Sequence, residues 1–391
     1  MPLGRCRRFW VAALVLAGAW VGAQSRPRAR DIGIAPGAGA PGPLNAITDV
    51  AGVAVGHRTI VEGQGVRTGV TAVLPHGGNL FREKVPGAVF VGNAFGKLAG
   101  STQVDELGTI ESPIVLTNTL SVGTALDAVV RWTIAQTGNE SVRSINGLVG
   151  ETNDGTLNDI RGLAITREHV LEAIARARSG PVEEGAVGAG TGTVAFGWKG
   201  GIGTSSRVIG SAPTRWTVGV LVQSNYGGRL VIDGVPVWRE LRPGGRGTGG
   251  ALLPFSSPVL QFASSPVSSD GSCMIVVATD APIDARDLKR LAARAVFALA
   301  RTGSSYSNGS GDFAIAFSTD ASLRVTGAAG PQPRTILPTD AVSGLFEAVL
   351  EATEEAVYNS LLKATDTTGN GRTVPALPVD ELKAAMKKYG R

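Results

Sequence analysis

The sequence predicts an α/β fold, one large domain in which β-sheets are covered by helices. Three observations lead there. Glycine occupies 54 of 391 positions and charged residues only 18 %, a composition suited to many strands and tight turns. Short apolar, β-branched runs bounded by glycine or proline recur from residue 45 onward, and several are apolar throughout, as strands covered on both faces are. Between them lie stretches whose apolar residues recur at helical spacing.

Strands are expected at 46–56, 69–74, 88–92, 113–117, 193–196, 217–224, 274–279 and 313–318. A helix is expected at 122–136, where Ala125, Val129, Trp132 and Ile134 are the apolar positions. Thr166 can cap a second one through 177, with Val170, Ile174 and Ala175 inward. A third at 285–301 sets Leu288, Leu291, Ala292, Ala295 and Leu299 on one stripe and stops at Gly303. Helices at 341–363 and 378–388 complete the set. Residues 24–44 are rich in Pro, Gly, Ala and Arg and read as a flexible arm. No composition break and no fixed repeat follows residue 45, so 45–391 reads as a single domain.

The net charge of +5 includes Arg5, Arg7 and Arg8 in the acid-free residues 1–23, which leaves +2 for the rest. A near-neutral body without a basic stripe argues against nucleic acid as partner. Residues 1–8 are basic, 9–22 are apolar, and Val21-Gly22-Ala23 fits cleavage before Gln24. These are the parts of a secretory signal peptide, and the apolar run falls short of the ~20 residues that span a bilayer. Export to the periplasm or medium is expected, without stable membrane insertion. Cys6 lies in the basic region, so the mature chain keeps Cys273 alone and forms no internal disulfide. His57, His76 and His169 are scattered without metal-ligand spacing, and no metal or other cofactor is expected.

Three tempting motifs carry little. The glycines of 188–192 (GAGTG) imitate a phosphate loop, but a strand-like run follows where a phosphate site needs a helix. Residues 366–371 imitate the opening of a calcium loop, yet the twelfth position is Leu377 where a bidentate Glu belongs. Asn139 and Asn308 open formal glycosylation sequons.

Residues 264–280 differ. A polar stretch ends in Asp270-Gly271-Ser272 and passes directly into an apolar strand. Taken alone, it reads either as a surface loop entering a core strand or as a self-cleavage site at Gly271–Ser272. Glycine leaves its carbonyl unshielded and tolerates unusual backbone angles. The Ser272 hydroxyl could attack that carbonyl, and hydrolysis of the ester would free Ser272 as a new N-terminus. An α-amine titrates near ~7.7–8.0, against ~10.4 for lysine, so an N-terminal serine brings its own base. A triad through His57 or His76 stays open, although no nucleophile-elbow context supports one.

Six stretches, in order through most of the mature chain, resemble one family. They are 45–57 (NAITDVAGVAVGH), 151–155 (ETNDG), 188–192 with 199–207 (KGGIGTSSR), 222–227 (VQSNYG), 271–282 and 307–312 (SNGSGD). The chain is similar to the DmpA-like D-/L-aminopeptidase–esterases and β-peptidyl aminopeptidases, self-processing serine peptidases. The resemblance implies an αββα four-layer sandwich, akin to N-terminal-nucleophile hydrolases but differently connected. It implies cleavage into an α chain, 24–271, and a β chain, 272–391, assembled as homo-oligomers of αβ units. The substrates it implies are short peptides, amides or esters.

By the same resemblance Ser272 is the nucleophile and Asn225 the oxyanion-stabilising donor. Ser310 and Asp312 form a support pair, and Glu151 receives the substrate's free ammonium. Two positions depart from the pattern: some relatives carry Glu in place of Asp312, and Asn153 stands where an aromatic residue can occur. Cys273 is expected to point away from the site along the strand. The competing functions are an acyltransferase of the ornithine acetyltransferase type, which typically exposes threonine, and a secreted binding protein that has lost activity.

Overall fold

Strand alternation sorts the apolar residues into three separate cores, and these cores define the layers. The computed structural model describes residues 26–211, 214–243 and 271–391. The expected leader 1–23 with Cys6, and the polar run 264–270, lie outside the described residues.

The chain runs β1 (Ala54–Glu62), β2 (Val66–Leu74), β3 (Val85–Ala94), β4 (Leu98–Ala99), α1 (Ser101–Leu107), β5 (Thr109–Ile110), β6 (Ile114–Asn118), α2 (Val122–Ile134) and β7 (Leu148–Thr152). It continues through α3 (Arg167–Ala175), β8 (Val194–Ala195), β9 (Trp198–Lys199), β10 (Gly201–Ile209), β11 (Trp216–Asn225), β12 (Ser272–Thr279) and α4 (Ala285–Arg301). It closes with β13 (Gly311–Ser318), α5 (Ser343–Leu362), β14 (Thr367–Gly369), β15 (Arg372–Val374) and α6 (Val379–Lys388).

One sheet has the order β1-β2-β6-β7-β4, and a larger one the order β10-β11-β12-β13-β3-β5. On β12, Met274, Val276 and Ala278 point into a core shared with Val55, Val73, Ile114, Leu116 and Leu148 of the smaller sheet. The alternate residues Cys273, Ile275 and Val277 pack instead against Leu288, Leu291 and Leu299 of α4 and Val349 and Val357 of α5. A third core lies between the smaller sheet and Ala125, Val129, Val170 and Ile174 of α2 and α3. The order helix, sheet, sheet, helix is the expected αββα sandwich, with both sheets apolar on both faces.

The sequence punctuation works as read at Thr166 and Gly303, and the structure adds a cap at Asp284. Thr166 caps α3 by accepting the His169 N–H, Asp284 caps α4 by accepting the Asp287 N–H, and Gly303 beyond the end of α4 has φ +96°. The strand expected at 46–56 is a correction: residues Ile47–Asp49 form a 3-10 turn and β1 begins at Ala54. Ile47 lies against Gly219 of β11, where a Cβ would stand 2.7 Å from its Cα, so this backbone packs across a sheet and does not join one.

Residues 26–44, read as a flexible arm, contain only one 3-10 turn but are tied to the body. Arg26 donates to the Leu362 and Leu377 carbonyls, Arg30 binds Glu355, and Ala29 and Ile34 enter the α4–α5 core. Among the described residues no helix is long and apolar enough to cross a membrane.

Candidate active site

β11 and β12 run antiparallel, with Asn225 directly opposite Ser272. The last residue of one strand therefore faces the first of the next. Ser272 shares a face with Met274, so its side chain looks into the space between the sheets, where β7 carries Glu151. There a cleft of about 1370 Å³ opens, lined by Glu151, Asn153, Asn225, Gly271 and Ser272 among others. Gly271 fits only because it lacks a side chain: a Cβ would stand 2.0 Å from the Asn225 carbonyl oxygen and 2.8 Å from Tyr226 Cα.

The expected support pair lies directly beneath. β13 runs parallel to β12 with Asp312 opposite Cys273. Ser310 Oγ donates to Asp312 Oδ2 at 2.8 Å, and the Gly311 N–H donates to Ser272 Oγ at 3.2 Å. Burial pushes the Asp312 carboxyl up to about 6, against the opposing pull of the Ser310 hydroxyl and the Cys273 backbone N–H. Its Oδ1 is buried and has no hydrogen-bond partner among the described residues, although it lies at the strand end where Ser272 begins. Cys273 points away as expected, into the α4–α5 core, and burial raises its thiol well above the ordinary range.

Asn225 is oriented by its own acceptor. Its Oδ1 takes the Val194 N–H at 2.9 Å, which leaves the Nδ2 donors for the cleft. Glu151 is 2 % exposed. Its Oε1 accepts the Lys97 N–H at 2.9 Å and lies 3.3 Å from Lys97 Nζ, on a side chain that is half exposed. Asn153 turns back on its own loop, its Oδ1 accepting the Gly155 N–H.

Four of the six residues expected at the site, Glu151, Asn225, Gly271 and Ser272, line this cleft, and Ser310 and Asp312 are buried at the adjoining end of β13. Neither candidate histidine joins them. His57 Nδ1 pairs with Thr71 Oγ1 on the β1–β2 hairpin, and burial with the nearby Arg178 charge lowers it to about 4. His76 Nε2 donates to the Glu83 carbonyl. Neither lines the cleft, so the triad alternative has no geometry behind it.

Sequence reasoning also missed wall residues. The turn at 366–371 belongs to the β14–β15 hairpin, which puts Asn370 and Arg372 on the cleft. Asn308 of one sequon lines the same cleft, whereas Asn139 of the other is 1 % exposed and bonded to Thr133 and Asn79. The glycines 188–190 form a 3-10 turn followed by β8, as their reading as a turn required. What that reading did not contain is that Val194, just beyond, holds Asn225.

Comparison with known proteins agrees with this architecture. The family model described as peptidase family S58 matches residues 45–374. The chain is 44 % identical to the beta-peptidyl aminopeptidase BapA of Sphingosinicella microcystinivorans, over 97 % of this chain and 96 % of that protein. A Burkholderia sp. beta-aminopeptidase structure superposes with TM-score 0.81 at 38 % identity, covering 93 % of this chain and 99 % of that one. The L-aminopeptidase D-Ala-esterase/amidase of Ochrobactrum anthropi superposes with TM-score 0.83 at 36 % identity, covering 94 % and 99 %. That enzyme is described as a prototype for the serine aminopeptidases and a variant of the Ntn hydrolase fold. With the match spanning most of the domain and the fold shared throughout, the chain belongs to peptidase family S58.

Proposed function

We propose that this chain is an exported, self-processing serine aminopeptidase that releases N-terminal residues from short peptides, amides or esters. The observation that carries the reading is the placement of Ser272. It opens a core strand, faces a cleft that also holds a buried carboxylate, and follows a glycine whose neighbours exclude any side chain. In maturation Ser272 Oγ attacks the Gly271 carbonyl carbon, the peptide C–N bond breaks, and an ester links Gly271 to Ser272. Water hydrolyses that ester, leaving a Gly271 carboxylate and a free Ser272 amine. Asp312, in register with Cys273 beside Ser272, is the proposed acceptor for the new amine.

In turnover the neutral amine takes the Oγ proton as Oγ attacks the scissile carbonyl. Asn225 Nδ2 receives the developing oxyanion. The departing amine takes the proton, and water then hydrolyses the acyl-enzyme. Sequencing the N-termini of purified enzyme tests the scheme, with a second terminus Ser-Cys-Met-Ile expected. A single terminus on fully active protein would overturn it. On the resemblance of the mature chain we further propose assembly as homo-oligomers of αβ units.

Glu151 explains why such an enzyme would count from the N-terminus. An incoming ammonium can displace the half-exposed Lys97 Nζ from the carboxylate, whereas an internal peptide offers no cation. Glu151→Gln is expected to lower kcat/KM for a free dipeptide amide about 30-fold, equivalent to ~2 kcal/mol of charge-assisted bonding, mainly through KM. Steady-state kinetics checks this, and an unchanged KM would remove Glu151 from the role.

The pH profile follows from two groups that act in their basic forms. Asp312 must be ionised to hold Ser310 and the amine, and it gains its proton as pH falls through about 6. The Ser272 amine must also be neutral, which for an ordinary α-amine means above ~7.7. Log kcat/KM for a neutral-leaving-group ester is therefore expected to rise with slope one just below that value and slope two below about pH 6. A slope of one down to pH 4.5 would show that Asp312 ionisation is not required.

A further inference from the structure

We propose that Lys199 is a positioning residue for the oxyanion donor, acting through a single peptide group to fix and polarise the Asn225 carboxamide. The proposal rests on the reading of Asn225 given above. It concerns a side chain that does not line the cleft.

Lys199 is 0 % exposed. Its Nζ donates to three backbone carbonyls, Gly190 and Thr193 at 2.9 Å and Gly200 at 2.7 Å. An ammonium has three N–H groups, and all three are used. Among the described residues no carboxylate bonds to it, although the Asp154 charge favours its protonated form while burial lowers it to about 7. Placing a cation here without an ion-pair partner is expensive, and an apolar side chain would fill the space at lower cost. The carbonyls it holds show what is gained.

The Thr193 carbonyl belongs to the same peptide group as the Val194 N–H. That N–H donates to Asn225 Oδ1 at 2.9 Å. The sequence of contacts is therefore ammonium to carbonyl, peptide N–H to carboxamide oxygen, and carboxamide Nδ2 to the cleft beside Ser272. Every link donates in the same direction, the arrangement in which hydrogen bonds strengthen one another. A cation at the head of the series makes the last N–H a stronger donor, and only the last one meets the oxyanion. The middle link is also held in place. Val194 and Lys199 are direct partners in the β8–β9 hairpin, closed by Phe196 and Gly197 with φ of +54° and +80°, the left-handed pair of a tight hairpin turn. Gly200 sits so close that a Cβ would meet the Ser224 carbonyl oxygen at 2.5 Å, so the Lys199 backbone is fixed against β11 beside Asn225.

A lysine that merely staples the loop would make a different prediction from one that acts through Asn225, and a double-mutant cycle separates them. Lys199→Met is expected to lower kcat about 10- to 50-fold with KM within about threefold, less than the loss from removing an oxyanion donor outright. In an Asn225→Ala background the same change is expected to alter kcat less than about twofold. Losses that multiply would overturn the proposal. If Asn225→Ala itself leaves kcat unchanged, the oxyanion assignment fails, which is a separate result. Should Lys199→Met not fold or not process, replacing the Val194 backbone amide by an ester cuts the series at its middle link. That variant is expected to show the same kcat loss with unchanged KM, and full kcat would overturn the proposal.

Discussion

Ser272→Ala is expected to yield one uncut chain and to lose about 10⁵-fold or more of peptide hydrolysis, the scale of removing a covalent nucleophile. The substitution is structurally mild. Ser272 Oγ accepts one hydrogen bond, from the Gly311 N–H at the edge of the cleft, and water can take its place. Loss of function would then not be loss of fold, and a circular dichroism spectrum should match that of the parent, with a cooperative melt. Two measurements on the same sample decide the matter: terminal sequencing for a start at residue 272, and turnover of a dipeptide amide. Absence of cleavage with retained turnover would make Ser272 a processing residue only. Cleavage with lost turnover would remove it from the maturation step.

Much of the fold was legible because its elements obey local rules. The span of α4 is read correctly at both ends because Asp284 caps it and Gly303 takes the left-handed angle beyond its last turn. β11, β12 and β13 are apolar on both faces because a sheet or a helix layer covers each side. β10 escaped notice for a physical reason. Its sequence GIGTSSRVI has no apolar alternation, because one face buries Ser205 and Arg207 in polar contacts with the arm and α5. Residues 46–56 misled in the opposite way, being apolar enough for a strand but buried between layers.

The site was legible only in part. Asn225, Ser310, Asp312 and Glu151 came from family-like motifs, whereas Ser272 was already one of two readings of its own stretch. Lys97, Lys199 and Arg372 come to the cleft or its support from three separate stretches of chain, a β3–β4 connection and strands β9 and β15, and no local pattern marks them. The one signal available for Lys199 was its setting, a lone cation in the acid-free run 185–206. A charge with no partner in sequence must find one in space.

The other end of that motif gives the largest expected effect on stability. Arg207 is fully buried, and its guanidinium bonds Glu355 at 2.8 Å, Glu351 at 3.1 Å and the Pro36 carbonyl at 3.0 Å. Glu355 also accepts from Asn45 and Arg30, and Glu351 from the Ala38 and Gly39 N–H groups. The two carboxylates thus hold the N-terminal arm against β10 and α5, and Arg207 is the cation that both of them share. Arg207→Met would leave both acids buried beside that arm without it, at an expected cost of about 3–5 kcal/mol. Urea denaturation of the purified enzyme checks this through the midpoint at constant slope. Arg207 does not line the cleft, so kcat per folded molecule should stay within about twofold in native buffer. A loss below ~1 kcal/mol would place Arg207 with ordinary surface pairs, and the arm would then be held by its apolar contacts at Ala29 and Ile34.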